Sequence, residues 1–346
     1  MGKLRVRIVT LISRNYGNRL QNLALSQVLE ELGCDVKTIP VEKNYKVRIM
    51  MKLPIKALLG KINQWELFET YIKYDKDIAE NLNVDNIDYF IAGSDQIWNP
   101  YFKVTSKREY LYFAKPKQRI SYAASIGIQE YSAELMDKYR DELGKFSSIS
   151  VREDTAIDIV KTMCGKEDLL VLDPVMLLDR KRWDEILRKH HTKEKTRPYI
   201  AVYFLGELDN PCAIEVIDYA KRRGYSVMNI LQESRKRPGS IGPLDFVNII
   251  RNSEMVLTDS FHATVFSIIY HKKFIVVNRN FEASSGDMSA RITSLLKMVK
   301  MEKRFVHKVE ELQEVISECS FIGVDEIIEN EREISMDFLR KAMDIN

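Results

Sequence analysis

A histidine set among helix-starting residues gives this chain its clearest chemical capacity. Thr258-Asp259-Ser260-Phe261-His262-Ala263-Thr264 lies between the apolar runs 255–257 and 265–270, a pattern that predicts a strand turning into a helix. Asp259 and Ser260 are both N-cap residue types. The free N–H groups of a first helical turn form an anion site beyond the C-terminal end of the strand. His262 falls in that turn. A helix N-terminus disfavours imidazolium while a bound phosphate or carboxylate favours it, so the proton on His262 is expected to respond to an anionic ligand, as general acid or base work requires. A second reading stays open, in which His262 only hydrogen-bonds to the preceding loop.

Other polar loops follow apolar runs. After 4–12, the stretch Ser13-Arg14-Asn15-Tyr16-Gly17-Asn18-Arg19 offers donors in Asn15, Asn18 and Arg19, and Gly17 lets backbone approach a ligand. An ordinary capped turn is the other reading, and the dinucleotide fingerprint G-x-G-x-x-G is absent. In Gly93-Ser94-Asp95-Gln96-Ile97-Trp98-Asn99-Pro100, the residues Ser94, Asp95 and Gln96 suit sugar hydroxyls, and Trp98 suits stacking on a sugar face. Arg152, at the end of the run 148–151, carries a planar fork that fits a carboxylate or phosphate. Equally, it could form a structural ion pair with Glu153 or Asp173. Arg291 opens a late helix and would present a second cation toward the same region.

Elements able to position these residues alternate along the chain. Strand-like runs at 4–12, 34–40, 89–92, 119–124, 148–151 and 169–172 are interleaved with helical periodicity at 20–33, 132–144 and 154–164. After the charged stretch 180–197 the alternation restarts, with strand-like runs at 199–204, 226–230, 254–257 and 274–277. The expected fold is α/β: two Rossmann-like, doubly wound domains, 1–178 and 179–346, facing a cleft, with C-terminal helices packed on the body. Such a cleft is a natural site for two substrates, one held by each half. At 346 residues there is room for two cores.

Composition narrows the function classes. Hydrophobic residues make up 45% and the mean hydropathy is −0.26, with no apolar run near the roughly 20 residues of a membrane span. A formal charge of +3 argues against nucleic acid as the main partner. Cys34, Cys164, Cys212 and Cys319 show no C-x-x-C pairing, so neither a disulfide framework nor a zinc site is expected. No secretory signal pattern opens the sequence, and a cytoplasmic location is expected. The insertion near 43–85 begins with a basic, amphipathic stretch, 43–61, holding six Lys or Arg and no acid. It would either touch an anionic membrane surface or lipid-linked acceptor, or be an ordinary surface insertion.

The ordered series N-Y-G-N-x-L-Q-x-x-A-L, G-S-D-Q-I-W-N-P, S-V-R-E, V-L-D-P, D-S-F-H-A and R-I-x-x-L-L, spread over residues 15 to about 296, resembles the polysaccharide pyruvyl transferase family. The resemblance implies a glycosyltransferase-B-like architecture and transfer of pyruvyl from phosphoenolpyruvate onto a sugar of a surface polysaccharide or its lipid-linked precursor, forming a ketal. It further implies His262 as catalytic acid or base, Arg152 and Arg291 as ligands of the donor's anions, and Ser260 and Phe261 as part of the donor site. Asn15, Gly17, Asn18, Ser94, Asp95, Gln96 and Trp98 would line the cleft. No metal or cofactor is expected beyond phosphoenolpyruvate itself. Two alternatives remain: a nucleotide-sugar glycosyltransferase of the same architecture, and a sugar-binding member without catalysis.

Overall fold

A computed structural model describes residues 2–39, 63–76, 78, 84–101, 108–128, 132–166, 168–190, 197–279 and 290–345. The basic stretch 43–61 lies outside them, as does most of the loop beyond Tyr101.

The first half contains β1 (Arg5–Val9), α1 (Tyr16–Glu31), β2 (Asp35–Thr38), α2 (Gln64–Glu69), β3 (Tyr89–Ala92), β4 (Arg119–Ser121), α3 (Ala133–Leu143), β5 (Ser150–Val151), α4 (Asp154–Cys164), β6 (Leu169–Leu170) and α5 (Pro174–Leu177). Its main sheet runs β2-β1-β3-β4, all parallel, and the β5-β6 pair continues it through single bridges from Ile120 to Ser148 and Ala124 to Val151. The second half has α6 (Arg180–His190), β7 (Tyr199–Tyr203), α7 (Pro211–Arg222), β8 (Ser226–Asn229), α8 (Ile230–Lys236), α9 (Pro243–Arg251), β9 (Met255–Thr258), α10 (Phe261–Ile269), β10 (Lys273–Val277), α11 (Ala290–Met298), β11 (Phe305–Val306), α12 (Leu312–Ser317) and α13 (Val324–Ala342). Its parallel sheet runs β11-β10-β9-β7-β8.

Strand residues explain why both faces of these sheets are covered. In β7, Ile200 and Val202 enter one core while Tyr199, Ala201 and Tyr203 enter another, the period of two that a strand imposes. That second core also holds Val6 and Ile8 of β1, so one apolar cluster joins the halves. Tyr16 stands at the seam, stacked on Trp65 at 5.1 Å and on Phe246 at 5.0 Å. The apolar run 119–124 gives a shorter strand than expected, because Ala123 takes φ 51°, outside the β region, and interrupts the ladder before Ala124 bridges again to Asp95 and Val151.

Helix α13 leaves the second sheet and packs on the first half. Its Ser335 hydroxyl accepts a hydrogen bond from Leu172 N–H at 2.9 Å, Arg332 donates to the Met176 carbonyl at 3.1 Å, and Phe338 lies against Tyr122. No helix among the described residues is long and apolar enough to cross a membrane.

Candidate active site

Both sheets reverse direction where a doubly wound fold binds ligands. In the first, β2 and β3 lie on opposite sides of β1; in the second, β8 and β9 lie on opposite sides of β7. Loops at the C-terminal ends of β1, β3, β7 and β9 therefore open at these switch points. They carry Asn15 to Asn18, Ser94 to Gln96, Leu205 to Gly206, and Asp259 to His262.

His262 is the second residue of α10, as the strand-to-helix pattern predicted, and it is buried. Its Nε2 lies 3.7 Å from Asp173 Oδ2, an ion-pair distance too long for a hydrogen bond, and has no hydrogen-bond partner among the described residues. The other edge of the ring faces Gly17: a Cβ added there would stand 1.9 Å from Nδ1. Gly17 is thus needed for a close approach, but the group approaching is the imidazole from the other half of the molecule.

Around this ring the charges interlock. Arg152 donates to Asp173 Oδ2 at 2.5 Å, to Ser94 Oγ at 3.2 Å and to Asp95 Oδ1 at 3.2 Å, and its guanidinium lies 4.6 Å from the centre of the Phe261 ring. Ser94 donates to the same Asp173 oxygen at 2.9 Å, while Asp173 Oδ1 caps α5 by accepting from Val175 N–H at 3.0 Å. Burial alone would raise the Asp173 carboxyl, but the facing His262 and Arg152 hold it well below the usual carboxylate range. Asp95, held at φ 72°, accepts from Asn18 Nδ2 at 2.5 Å. Burial pushes its carboxyl up too, and Arg152, His262 and Arg291 more than offset that, leaving it low. Arg291 reaches the Gln96 side-chain oxygen at 2.5 Å once that amide is oriented to accept, and lies 4.0 Å from Asp95 Oδ1. Burial and the neighbouring Arg152 pull Arg291 down to about 10, so it stays charged at neutral pH. Ser260 is the N-cap position of α10, but its side chain makes no capping bond.

His262, Arg152, Arg291, Phe261, Gly17, Asn18, Ser94, Asp95 and Gln96 thus come together, with Ser260 at the helix start. Asn15 borders the cluster as the cap of α1, its side chain accepting from Asn18 N–H. Three sequence expectations are corrected. Trp98 is not a sugar platform: it is 1% exposed, stacked on Tyr110 at 5.6 Å and donating to the Glu109 carbonyl. Asp259 does not cap α10; its carboxylate accepts from Leu205 N–H at 2.8 Å, Gly206 N–H at 2.9 Å and Arg279 Nε at 2.7 Å. Arg19 points away from the cleft into a buried pair with Glu69 at 2.7 Å. Arg152 makes the ion pair with Asp173 that the sequence left open beside a ligand role, so any ligand must share it.

Asp173, Glu153 and Arg279 were missed as site residues. Glu153 Oε1 accepts from Ser125 Oγ and from the N–H groups of Ile126 and Gly127, fixing the loop beneath Gln96. Asp173 had a signal in V-L-D-P, an acid just past a strand; Arg279 had none beyond following β10.

A crevice bounded by Arg152, Asp173 and Phe261 holds about 20 Å³, room for roughly one water. A larger groove of about 650 Å³ lies at the opposite end of α10, lined by residues including Arg180, Arg251, His271 and Asp325. It has none of the cluster's buried, interlocked charges; Arg180, Lys181 and Arg188 on its rim are exposed, so it reads as a solvated face.

The fold and the site define a two-domain, glycosyltransferase-B-like protein with a histidine and two arginines buried at its cleft. Residues 15–280 match the polysaccharide pyruvyl transferase family, and the chain belongs to that family of transferases. Solved structures share the architecture at low identity. The S. aureus MnaA–UDP complex is 12% identical with a TM-score of 0.52, covering 100% of this chain and 98% of that one. UDP-GlcNAc 2-epimerase from Neisseria meningitidis bound to UDP-GlcNAc is 11% identical with a TM-score of 0.52, covering 99% and 100%. A putative UDP-N-acetylglucosamine 2-epimerase from Listeria monocytogenes is 12% identical with a TM-score of 0.50, covering 98% and 91%. No curated protein sequence matches the chain.

Proposed function

We propose that this chain moves pyruvyl from phosphoenolpyruvate onto two hydroxyls of a sugar in a surface polysaccharide or its precursor, forming a cyclic ketal and releasing phosphate. The observation that carries this reading is the burial of His262 beside Arg152 and Arg291 at the second switch point. Phosphoenolpyruvate brings a carboxylate and a phosphate, and it becomes electrophilic at C2 when C3 is protonated. One proton donor and two cations answer that demand.

In the reaction a first hydroxyl adds its oxygen to C2 while C3 gains a proton. Phosphate then leaves with the C–O electron pair, and the second hydroxyl closes the ketal, losing its proton. Arg152 is already shared with Asp173 and Asp95, so the donor anion takes a place in an existing network, and Arg291 supplies the second charge. Because His262 lies against Gly17, α1 and α10 must part for the donor to reach the ring.

The competing reading is a nucleotide-sugar glycosyltransferase, favoured by the UDP ligands of the neighbouring folds. Against it, the N–H groups of Leu205 and Gly206 at the end of β7, a natural diphosphate cradle, are taken by the Asp259 carboxylate. Thermal unfolding with phosphoenolpyruvate, inorganic phosphate and a panel of nucleoside diphosphates separates the two. A shift with phosphoenolpyruvate and none with nucleotides supports pyruvyl transfer; the reverse overturns it. His262→Ala should lower phosphate release by roughly a hundredfold or more.

A further inference from the structure

We infer that Asp173 is the positioning residue of His262: its Oδ2 holds the ring through Nε2–H and leaves Nδ1, on the Gly17 side, to carry the transferred proton. This rests on pyruvyl transfer as the reaction.

Asp173 is fixed at both oxygens. Oδ1 is bound to Val175 N–H, and Oδ2 receives Arg152 and Ser94, so the carboxylate cannot turn away from the ring. Nε2 of His262 lacks a hydrogen bond, and Oδ2 stands 3.7 Å off, within a shift of less than about 1 Å of a good one. Catalytic hydrogen bonds are often long without substrate and tighten in the complex.

Other groups facing the ring do not fill this role. Asp95, from the loop after β3, also accepts from Gln96 N–H, Arg152 and Asn18, but it is Asp173 that stands at ion-pair distance from a ring nitrogen. Arg152, after β5, and Arg291, on α11, are cations and cannot accept. Helix α1 brings Gly17, which has no side chain. Asp173 is therefore the acceptor for Nε2–H, and parting α1 from α10 uncovers Nδ1.

The proton step then balances. The Nδ1–H bond breaks and its proton goes to C3 of phosphoenolpyruvate, whose π electrons form the new C–H bond and leave C2 electron-poor. The ring, now neutral, keeps the Nδ1 lone pair and its Nε2–H on Asp173. The acceptor hydroxyl bonds to C2, and its proton returns to Nδ1.

The test uses full-length protein labelled with 15N-histidine, the His262 signal being assigned by its loss in His262→Ala. Ligand-free wild type should show neutral His262 as the Nε2–H tautomer, and Asp173→Asn should lose that preference. An Nδ1–H tautomer in wild type overturns the inference, even if the variant fails to fold. Where Asp173→Asn folds, kcat/KM for phosphoenolpyruvate should drop at least about tenfold, bounded by the roughly 10²–10⁴-fold of general acid catalysis, and its alkaline limb should move to lower pH. An unchanged profile also overturns it. Nε2–H locked by Asp173 in a protein that does not turn over phosphoenolpyruvate would sink the donor assignment and leave the pairing standing.

Discussion

Replacing Gly17 by alanine tests how the two halves meet at the reactive ring. The new Cβ would lie 1.9 Å from His262 Nδ1, 2.3 Å from Cγ and 2.6 Å from Cε1. Contact between such atoms is relaxed only at about 3.5 Å, so the ring must retreat by roughly 1.5 Å or the halves must separate. Overpacking of this kind costs about 1–3 kcal/mol, and alanine in a helix recovers up to about 1 kcal/mol relative to glycine. The expected net destabilisation is therefore about 0–3 kcal/mol, a few degrees in the unfolding midpoint. Catalysis should suffer far more, because a misplacement near 1 Å costs on the order of 10²-fold. Denaturant unfolding of Gly17→Ala, His262→Ala and the double variant isolates the clash. In the His262→Ala background the alanine at 17 should no longer destabilise and should recover its helix gain. An equal cost in both backgrounds, or a single variant with wild-type kcat/KM, would refute the contact.

Other consequences are quicker to check. Arg279→Ala strands a buried carboxylate at Asp259; since Leu205 and Gly206 still donate to it, the cost should sit near the lower end of the 3–5 kcal/mol typical of broken buried pairs, about 3 kcal/mol by denaturant unfolding. Trp98→Ala should cost about 3–5 kcal/mol of stability, with acceptor KM nearly unchanged in whatever fraction folds; a selective rise in KM would restore the sugar-stacking role. Burial raises the half-buried Asp168 carboxyl to about 6, above its unfolded value near 3.9, so its stability contribution is present below pH 4 and lost as pH rises through 6. Asp168→Asn should accordingly raise the unfolding midpoint at pH 8 and leave it unchanged at pH 4.

Local pattern carried much of the architecture and part of the site. The strand before Thr258 and the helix after Ser260 were legible because apolar periodicity and cap chemistry act within a few residues, and this placed His262 correctly. Partners chosen across the fold were not legible. Trp98 looked like a binding surface because nothing nearby in sequence announces Tyr110 or Phe146 as the rings that enclose it. Asp259 has the type of a cap, yet the amides it satisfies belong to a loop more than fifty positions earlier. Gly17 signalled a close approach without naming the approaching group, and Asp173 acquires meaning only when Arg152, Ser94 and His262 converge on its one oxygen.

The return of α13 to the first half has a consequence for synthesis. Domains generally fold from the N-terminus as they leave the ribosome. Here the segment around Leu172 and Met176 emerges long before Ser335, Arg332 and Phe338, which cover it, have been translated. A nascent chain ending before 324 would hold a nearly complete first sheet with part of its apolar flank bare to solvent. Final locking of that half must therefore await release of α13, and a stop codon ahead of residue 324 would damage the part of the protein that was made first.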